Sequence, residues 1–301
     1  MKIAIAGGNG FVGTALTEEL VKNPHEVYII TRHAHSAPQK QGVTYVQWLN
    51  DGDQPEKQLE NIDVYINLAG EYLNSGRWTA KRKKQLLESR LASTNEMVRI
   101  ISSADKKPHL FLNASAIGYY GTSRTETFTE RTIKNPSDFL SQVTFNWEKA
   151  AQELENKQIR TIYMRFGVII GKNGGALQRM ILPYRLFAGG TIGSGEQILS
   201  WIHLSDVVQA ILFCINNERI DGAVNFTAPH PLNMKEFGKT ISHVMKKPHW
   251  LPVPSFTLKL MLGEMSILVL EGQRVLPEKL REHKFEFAYP TLETALHDIL
   301  N

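Results

Sequence analysis

The sequence predicts an α/β fold: a doubly wound parallel sheet of Rossmann type covered by helices on both faces, with a smaller, less regular C-terminal substrate lobe. Three observations carry this. KIAIA (2–6) is a short apolar run that stops at glycines and passes into FVGTALTEELVKN, whose apolar residues recur at helical spacing. EVYIIT (26–31), VTYVQW (43–48), DVYINLA (63–69), HLFLNAS (109–115) and IRTIYMRFGVII (159–170) are further runs rich in β-branched and aromatic residues, most of them separated by helical patterns. After Gly171 the chain changes character, with GKNGG, AGGTIGSGE and LPVP breaking it into shorter pieces.

Taken in order, the elements form a dinucleotide-type domain over 1–171 and a smaller substrate or partner lobe over 172–301. Residues 78–104 carry the longest helical pattern, and 137–157 a second, with Ser137 as a plausible N-cap. The strongly apolar face of LSDVVQAILFCINN (204–217) predicts a helix that returns to pack on the main sheet. The C-terminal segment 249–301 includes GEMSILVLEGQRVLP, apolar enough to cover the cleft or a neighbouring subunit, so a homodimer is compatible with it.

Composition bounds the function classes. The 301 residues are 42% hydrophobic and 21% charged, with a net charge of +4 and no low-complexity tract. The basic run KRKK (81–84) is followed by Glu88, as on a solvated helix face, so no nucleic-acid partner is expected. The lone cysteine, Cys214, sits in the apolar run AILFCI and reads as a buried thiol in a reducing compartment. Lys2 leads directly into IAIAG without a leader pattern, and LKLMLGEMSILVL (258–270) is too short and is broken by Glu264. A soluble, cytoplasmic protein with no membrane partner is expected. Neither metal-ligand spacing among Cys and His nor a G-x-S-x-G elbow is present.

AGGNGFVG (6–13) satisfies both G-x-G-x-x-G and G-x-x-G-x-x-G between a strand and a helix. That context allows a tight turn, close backbone approach to a pyrophosphate and N–H groups aimed at anionic oxygens, so Gly7, Gly10, Phe11, Val12 and Gly13 are cofactor candidates. The second strand ends in Thr31-Arg32, where an NAD site would carry Asp or Glu for the ribose 2′-hydroxyl. An arginine offers a fork of donors to a 2′-phosphate instead, which favours NADP(H) over NAD(H).

GGNGFVG, INLAGE (66–71), RW with SR (77–78, 89–90), SAIGYYG (115–121), WEKAA (147–151), RFGVIIGKNGGAL (165–177), SWIHLSD (200–206), NFTAP (225–229) and GEMSILVLEGQRVLPEKL (263–280) occur in an order that resembles the extended short-chain dehydrogenase/reductases. More closely, the chain resembles the NAD-dependent epimerase/dehydratase proteins whose C-terminal segment is a domain of unknown function. The resemblance implies that Leu68, Ala69 and Gly70 border the cofactor and that Ser115 bonds a substrate hydroxyl or carbonyl. It also places Arg90 where an amide usually faces the active site; an arginine there would hold a diphosphate or lie on the surface.

The superfamily's Tyr-x-x-x-Lys pair moves the proton while hydride moves. FNWEK (145–149) offers Phe145 and Lys149 at that spacing, so a phenol is missing although Lys149 could still reach a ribose. Tyr119 is the replacement candidate, with Tyr120 and Glu71 as others; His203 could act as a base, and Asp206 reads as an acid at a helix N-terminus. Two expectations remain open. One is an NADP(H)-dependent oxidoreductase or epimerase with non-standard acid/base residues acting on a small polar substrate such as a sugar nucleotide. The other is a redox-sensing or partner-binding protein that holds NADP(H) without turnover.

Overall fold

The computed structural model describes residues 1–300. The first half runs β1 (Lys2–Ala6), α1 (Phe11–Leu20), β2 (Glu26–Thr31), β3 (Val43–Gln47), β4 (Val64–Asn67), α2 (Ala80–Ser103), β5 (Leu110–Ala116), β6 (Thr127–Phe128), α3 (Phe139–Ala151), α4 (Glu153–Asn156) and β7 (Arg160–Phe166). The second half contains β8 (Val168–Gly171), β9 (Gly174–Gly175), α5 (Leu177–Arg185), β10 (Ile198–Leu199), β11 (Trp201–His203), α6 (Leu204–Asn216), β12 (Gly222–Phe226), β13 (Leu232–Asn233) and α7 (Met234–Met245). It ends with α8 (Ser255–Leu262), α9 (Ile267–Leu270), β14 (Arg274–Val275), α10 (Glu278–Glu282) and α11 (Leu292–Leu300).

Seven parallel strands form the central sheet in the order β12-β7-β5-β4-β1-β2-β3. The chain winds outward from β1 in one direction and from β4 in the other, so a crevice opens at the carboxyl ends of these two neighbours. Period-two alternation gives the sheet two buried faces. Ile3 and Ile5 of β1 pack with Leu16 of α1 and Val207, Ile211 and Cys214 of α6, whereas Ala4 and Ala6 face Met97 and Ile101 of α2. Helix α6 therefore returns to the sheet as its apolar face predicts. Burial pushes the Cys214 thiol up to about 12, which leaves it an inert core group.

Three sequence expectations are refined. The boundary at 171 is too simple, because β12 lies beyond it and pairs with β7 as the edge of the main sheet. The run 159–170 divides at Gly167, where a Cβ would lie 2.7 Å from the Ser200 carbonyl oxygen, so β7 stays in the main sheet while β8 pairs with β11 in the lobe. Helix α3 starts later than expected, because Asp138 rather than Ser137 caps it. The Asp138 carboxylate accepts from the Ser141 N–H at 2.9 Å, and the Ser141 hydroxyl accepts from the Asp138 N–H in return.

The lobe has its own core, in which Trp201 and Ile170 meet Phe237 and Ile241 of α7 and Leu296 of α11. It is tied back by β14, which pairs with β6 in parallel. Among the described residues no helix is long and apolar enough to cross a membrane.

Candidate functional site

The crevice at the ends of β1 and β4 has a volume of about 420 Å³. Its floor is the glycine loop, and two of its glycines are enforced by space. Gly7 has φ +77°, and a Cβ there would lie 2.7 Å from the Leu68 carbonyl carbon; a Cβ on Gly13 would lie 2.3 Å from the Gly7 carbonyl oxygen. Only glycine lets the loop close so tightly that α1 begins at Phe11 with its free N–H groups at the crevice, and no acid occupies its first turn. Phe11 in turn wedges against Gly171, Gly174 and Gly175, so the turn after β8 clamps the loop from the lobe side.

Thr31 and Arg32 at the end of β2 line the same crevice beside Ile30 and Trp48. Arg32 is exposed, and its guanidinium has no partner among the described residues. It is thus a free cation on the crevice lining at the end of β2. On the other wall are Leu68, Ala69, Gly70, Tyr72 and Arg90. Arg90 is buried, donates to the carbonyls of Leu86 (2.9 Å) and Glu71 (3.2 Å), and stands 5.0 Å from the Trp147 ring. Burial lowers its guanidinium to about 10, still far above neutrality, so it carries a charge into this wall. The glycine loop, the aligned N–H groups and the free Arg32 cation together fit a dinucleotide.

Ser115 ends β5 inside the crevice and is the hub of a buried polar chain. Its Oγ donates to Glu148 Oε1 at 2.6 Å. Arg165 of β7 grips that carboxylate with two forks, Nε to Oε1 and Nη2 to Oε2, each at 2.8 Å. The remaining fork, Nη1, donates to the Tyr120 hydroxyl at 2.9 Å, which itself donates to Asn225 of β12 at 2.8 Å. Burial pushes the Tyr120 phenol up to about 12, and both its hydrogen-bonding positions are used. Trp147, on the crevice wall, is fixed by its own donor bond to Thr94 Oγ1 at 3.0 Å.

The sequence-derived residues separate cleanly. Gly7, Gly10, Phe11, Val12, Gly13, Thr31, Arg32, Leu68, Ala69, Gly70, Arg90 and Ser115 all line the crevice. Lys149 does not: it is exposed on α3, and Phe145 shares the exposed side, because the buried face is Val143, Thr144, Trp147, Glu148 and Ala151. The Phe145/Lys149 register is therefore wrong. Its conclusion survives in any register, since α3 contains no tyrosine and Lys149 is its single lysine. Tyr119 also lies outside the crevice lining, with its ring face covered by the Arg165 guanidinium at 3.4 Å. Glu71 is paired with Arg82 at 3.3 Å. His203 caps α6 by accepting from the Ser205 N–H, and Asp206 accepts from the backbone of Ala288 and Tyr289, so both hold the lobe together. No cluster of metal-ligating side chains occurs among the described residues.

Sequence reasoning missed Glu148, Arg165, Trp147, Trp48 and Phe166. Glu148 and Trp147 were recoverable: the 3.6-residue period that makes α3 amphipathic turns 147 and 148 inward and 145 and 149 outward.

Sheet order, glycine loop and crevice together define an extended short-chain dehydrogenase/reductase. Comparison with known proteins makes this specific: residues 3–226 match the NAD dependent epimerase/dehydratase family, to which the chain belongs, and residues 253–299 match a domain of unknown function, DUF1731. The chain is 50% identical over 300 residues to the epimerase family protein YfhF of Bacillus subtilis, covering 100% of this chain and 98% of the relative. The human epimerase family protein SDR39U1, solved with NADPH, superposes with a TM-score of 0.89 at 31% identity over 99% of both chains. A nucleoside-diphosphate sugar epimerase from Corynebacterium glutamicum gives a TM-score of 0.78 at 27% identity, covering 99% of this chain and 58% of that one.

Proposed function

We propose that this protein binds NADP(H) and carries out hydride chemistry on a hydroxyl-bearing polar substrate, with Ser115, oriented by Glu148, in place of the Tyr-x-x-x-Lys pair. The observation that carries the reading is the polarity of Ser115. Its single hydroxyl proton is given to Glu148 at 2.6 Å, so only its lone pairs face the crevice. Such a group accepts a hydrogen bond, and it matches the alcohol form of a substrate better than the carbonyl form. The bound nicotinamide would supply the hydride acceptor. As the substrate hydroxyl loses its proton, that proton forms a bond to Ser115 Oγ while the serine's own proton passes to Glu148 Oε1. Arg32 as the 2′-phosphate ligand supports NADP(H), as does the NADPH held by the human relative. A sugar nucleotide is the substrate class we favour, supported by the name of the Corynebacterium relative.

A second reading, cofactor binding without turnover, is favoured by one observation: the cleft side of α3 offers neither phenol nor lysine, and the nearby Tyr120 hydroxyl is fully engaged. Calorimetric titration with NADPH and NADH, followed by a screen of sugar nucleotides for cofactor reduction or epimerised product, decides between them. Turnover that disappears in Ser115→Ala while NADPH still binds supports the first reading. NADPH binding with no turnover of any sugar nucleotide supports the second, and failure to bind either nucleotide sinks both.

A further inference from the structure

The lobe carries an exposed surface that the crevice does not use. Leu186 and Phe187 follow α5 and are 69% and 56% exposed; Trp250 is 65% exposed; Phe256, Leu260 and Met261 of α8 are 72%, 78% and 61% exposed. Helix α8 buries none of its residues although five of its eight are apolar. These segments adjoin. The Trp250 indole donates to the Phe187 carbonyl at 2.9 Å, Trp250 and Leu251 both donate backbone N–H groups to the Gly189 carbonyl, and Ile192 bridges to Val253, two residues before α8. His249 pins the same junction through Tyr184 Oη at 2.9 Å and Thr191 Oγ1 at 3.0 Å. The protruding rings are therefore held on a fixed base.

The charge of this surface is one-sided. Residues 177–195 and 237–263 contain Arg179, Arg185, Lys239, Lys246, Lys247 and Lys259 and no aspartate or glutamate. Of the chain's 34 cations and 30 acids, this leaves 28 against 30 elsewhere, so the rest of the molecule is slightly negative. Lys247 Nζ sits 3.7 Å above the Phe187 ring, interleaving charge and aromatic surface. Glu196, Glu236 and Glu264 mark the edges, and Glu264 is paired with Lys83 at 2.6 Å.

We propose that this face docks on an anionic lipid bilayer. Large apolar side chains that project from a rigid base need a hydrocarbon phase for their burial, and cations free of neighbouring carboxylates need anionic headgroups at the same depth. A bilayer interface offers both in one plane. A second copy of this chain does not fit, because a two-fold contact would set the cations of this face, Lys246, Lys247 and Lys259 among them, against their own copies. The sequence-level expectation of no membrane partner concerns spanning segments, and a peripheral contact needs none.

The test uses the full-length protein and sucrose-loaded vesicles of phosphatidylcholine with or without phosphatidylglycerol. Binding to the anionic vesicles, weakened by salt and absent from neutral ones, is expected. The triple variant Lys246→Glu/Lys247→Glu/Lys259→Glu should lower the partition coefficient by about 100-fold, at roughly 1 kcal/mol per basic residue near the surface. Trp250→Ser/Phe256→Ser should lower it as well, whereas Lys81→Glu/Lys84→Glu on α2 should not. All seven positions lie outside the crevice and all but the half-buried Lys247 are exposed, so thermal unfolding and NADPH titration should match the parent. Equal binding to neutral vesicles, no binding at all, or loss only in the α2 variant would overturn the proposal. So would self-association that Trp250→Ser abolishes, because the patch would then be an interface between copies.

Discussion

Glu148 Oε1 accepts from two donors at once, the Ser115 hydroxyl at 2.6 Å and Arg165 Nε at 2.8 Å, with all three side chains buried. One carboxylate therefore sets both the direction of a crevice hydroxyl and the charge balance of a strand interior. Replacing Glu148 by Gln strands a buried guanidinium, and we expect a loss of about 3–5 kcal/mol in urea unfolding. The double variant Glu148→Leu/Arg165→Met should regain most of that stability while leaving turnover abolished, because Ser115 would have no acceptor. Recovery of turnover in the double variant would refute the orienting role.

Arg32→Ala should weaken NADPH binding by about 10-fold or more, the worth of one charge-assisted contact to a phosphate, and leave NADH unchanged. Calorimetry with both nucleotides measures this directly. An equal loss for both would show that Arg32 does not distinguish the 2′-substituent.

Gly13→Ala should abolish nucleotide binding, since its Cβ would lie 2.3 Å from the Gly7 carbonyl oxygen and 2.6 Å from the Gly8 Cα. Both neighbours are backbone, so no side chain can swing aside. Retained affinity would mean that the loop opens without cost.

Phe145→Tyr should not introduce an acid/base group, and Lys149→Ala should leave NADPH affinity within a factor of two of the parent. Both side chains point away from the crevice. A gain of turnover in the first variant would place α3 in a different register.

Acid should destabilise the fold partly through His203. Burial pulls its imidazole below the ordinary value, and Asp298, 3.3 Å from Nε2, opposes this only in part. A histidine that protonates more readily unfolded than folded contributes stability that is present above its unfolded value of 6.5 and lost as pH falls through the lower folded value. Stability measured from pH 7.5 downward should therefore decline below about 6.5. The decline should be shallower in His203→Asn, which keeps a cap for α6. An unchanged slope would assign the effect to His25, His109 and His249, whose values are lowered too.

The sheet and the cofactor loop were legible because both are written locally: alternating apolar runs fix strands, and glycines at 7, 10 and 13 fix one turn. Arg32 and Ser115 were legible because they end strands, and strand ends in this topology border the crevice. The Ser115–Glu148–Arg165 unit was not. Its members come from β5, α3 and β7, and no spacing in the sequence reports that three elements converge. The misplaced Phe145/Lys149 pair had a simpler cause, since matching a spacing of four says nothing about which side of a helix the pair occupies.

The position of β12 bears on how the chain can be divided. Because the outermost strand of the main sheet comes after the first part of the lobe, a fragment ending at residue 171 would leave β7 with an open flank of unpaired N–H and C=O groups. It would also lose Asn225, the acceptor that holds the Tyr120 hydroxyl. Such a fragment should aggregate when expressed, whereas residues 172–301 supplied in trans should rescue its solubility. The two regions should therefore unfold as one cooperative unit, and limited proteolysis should find no stable product at their junction.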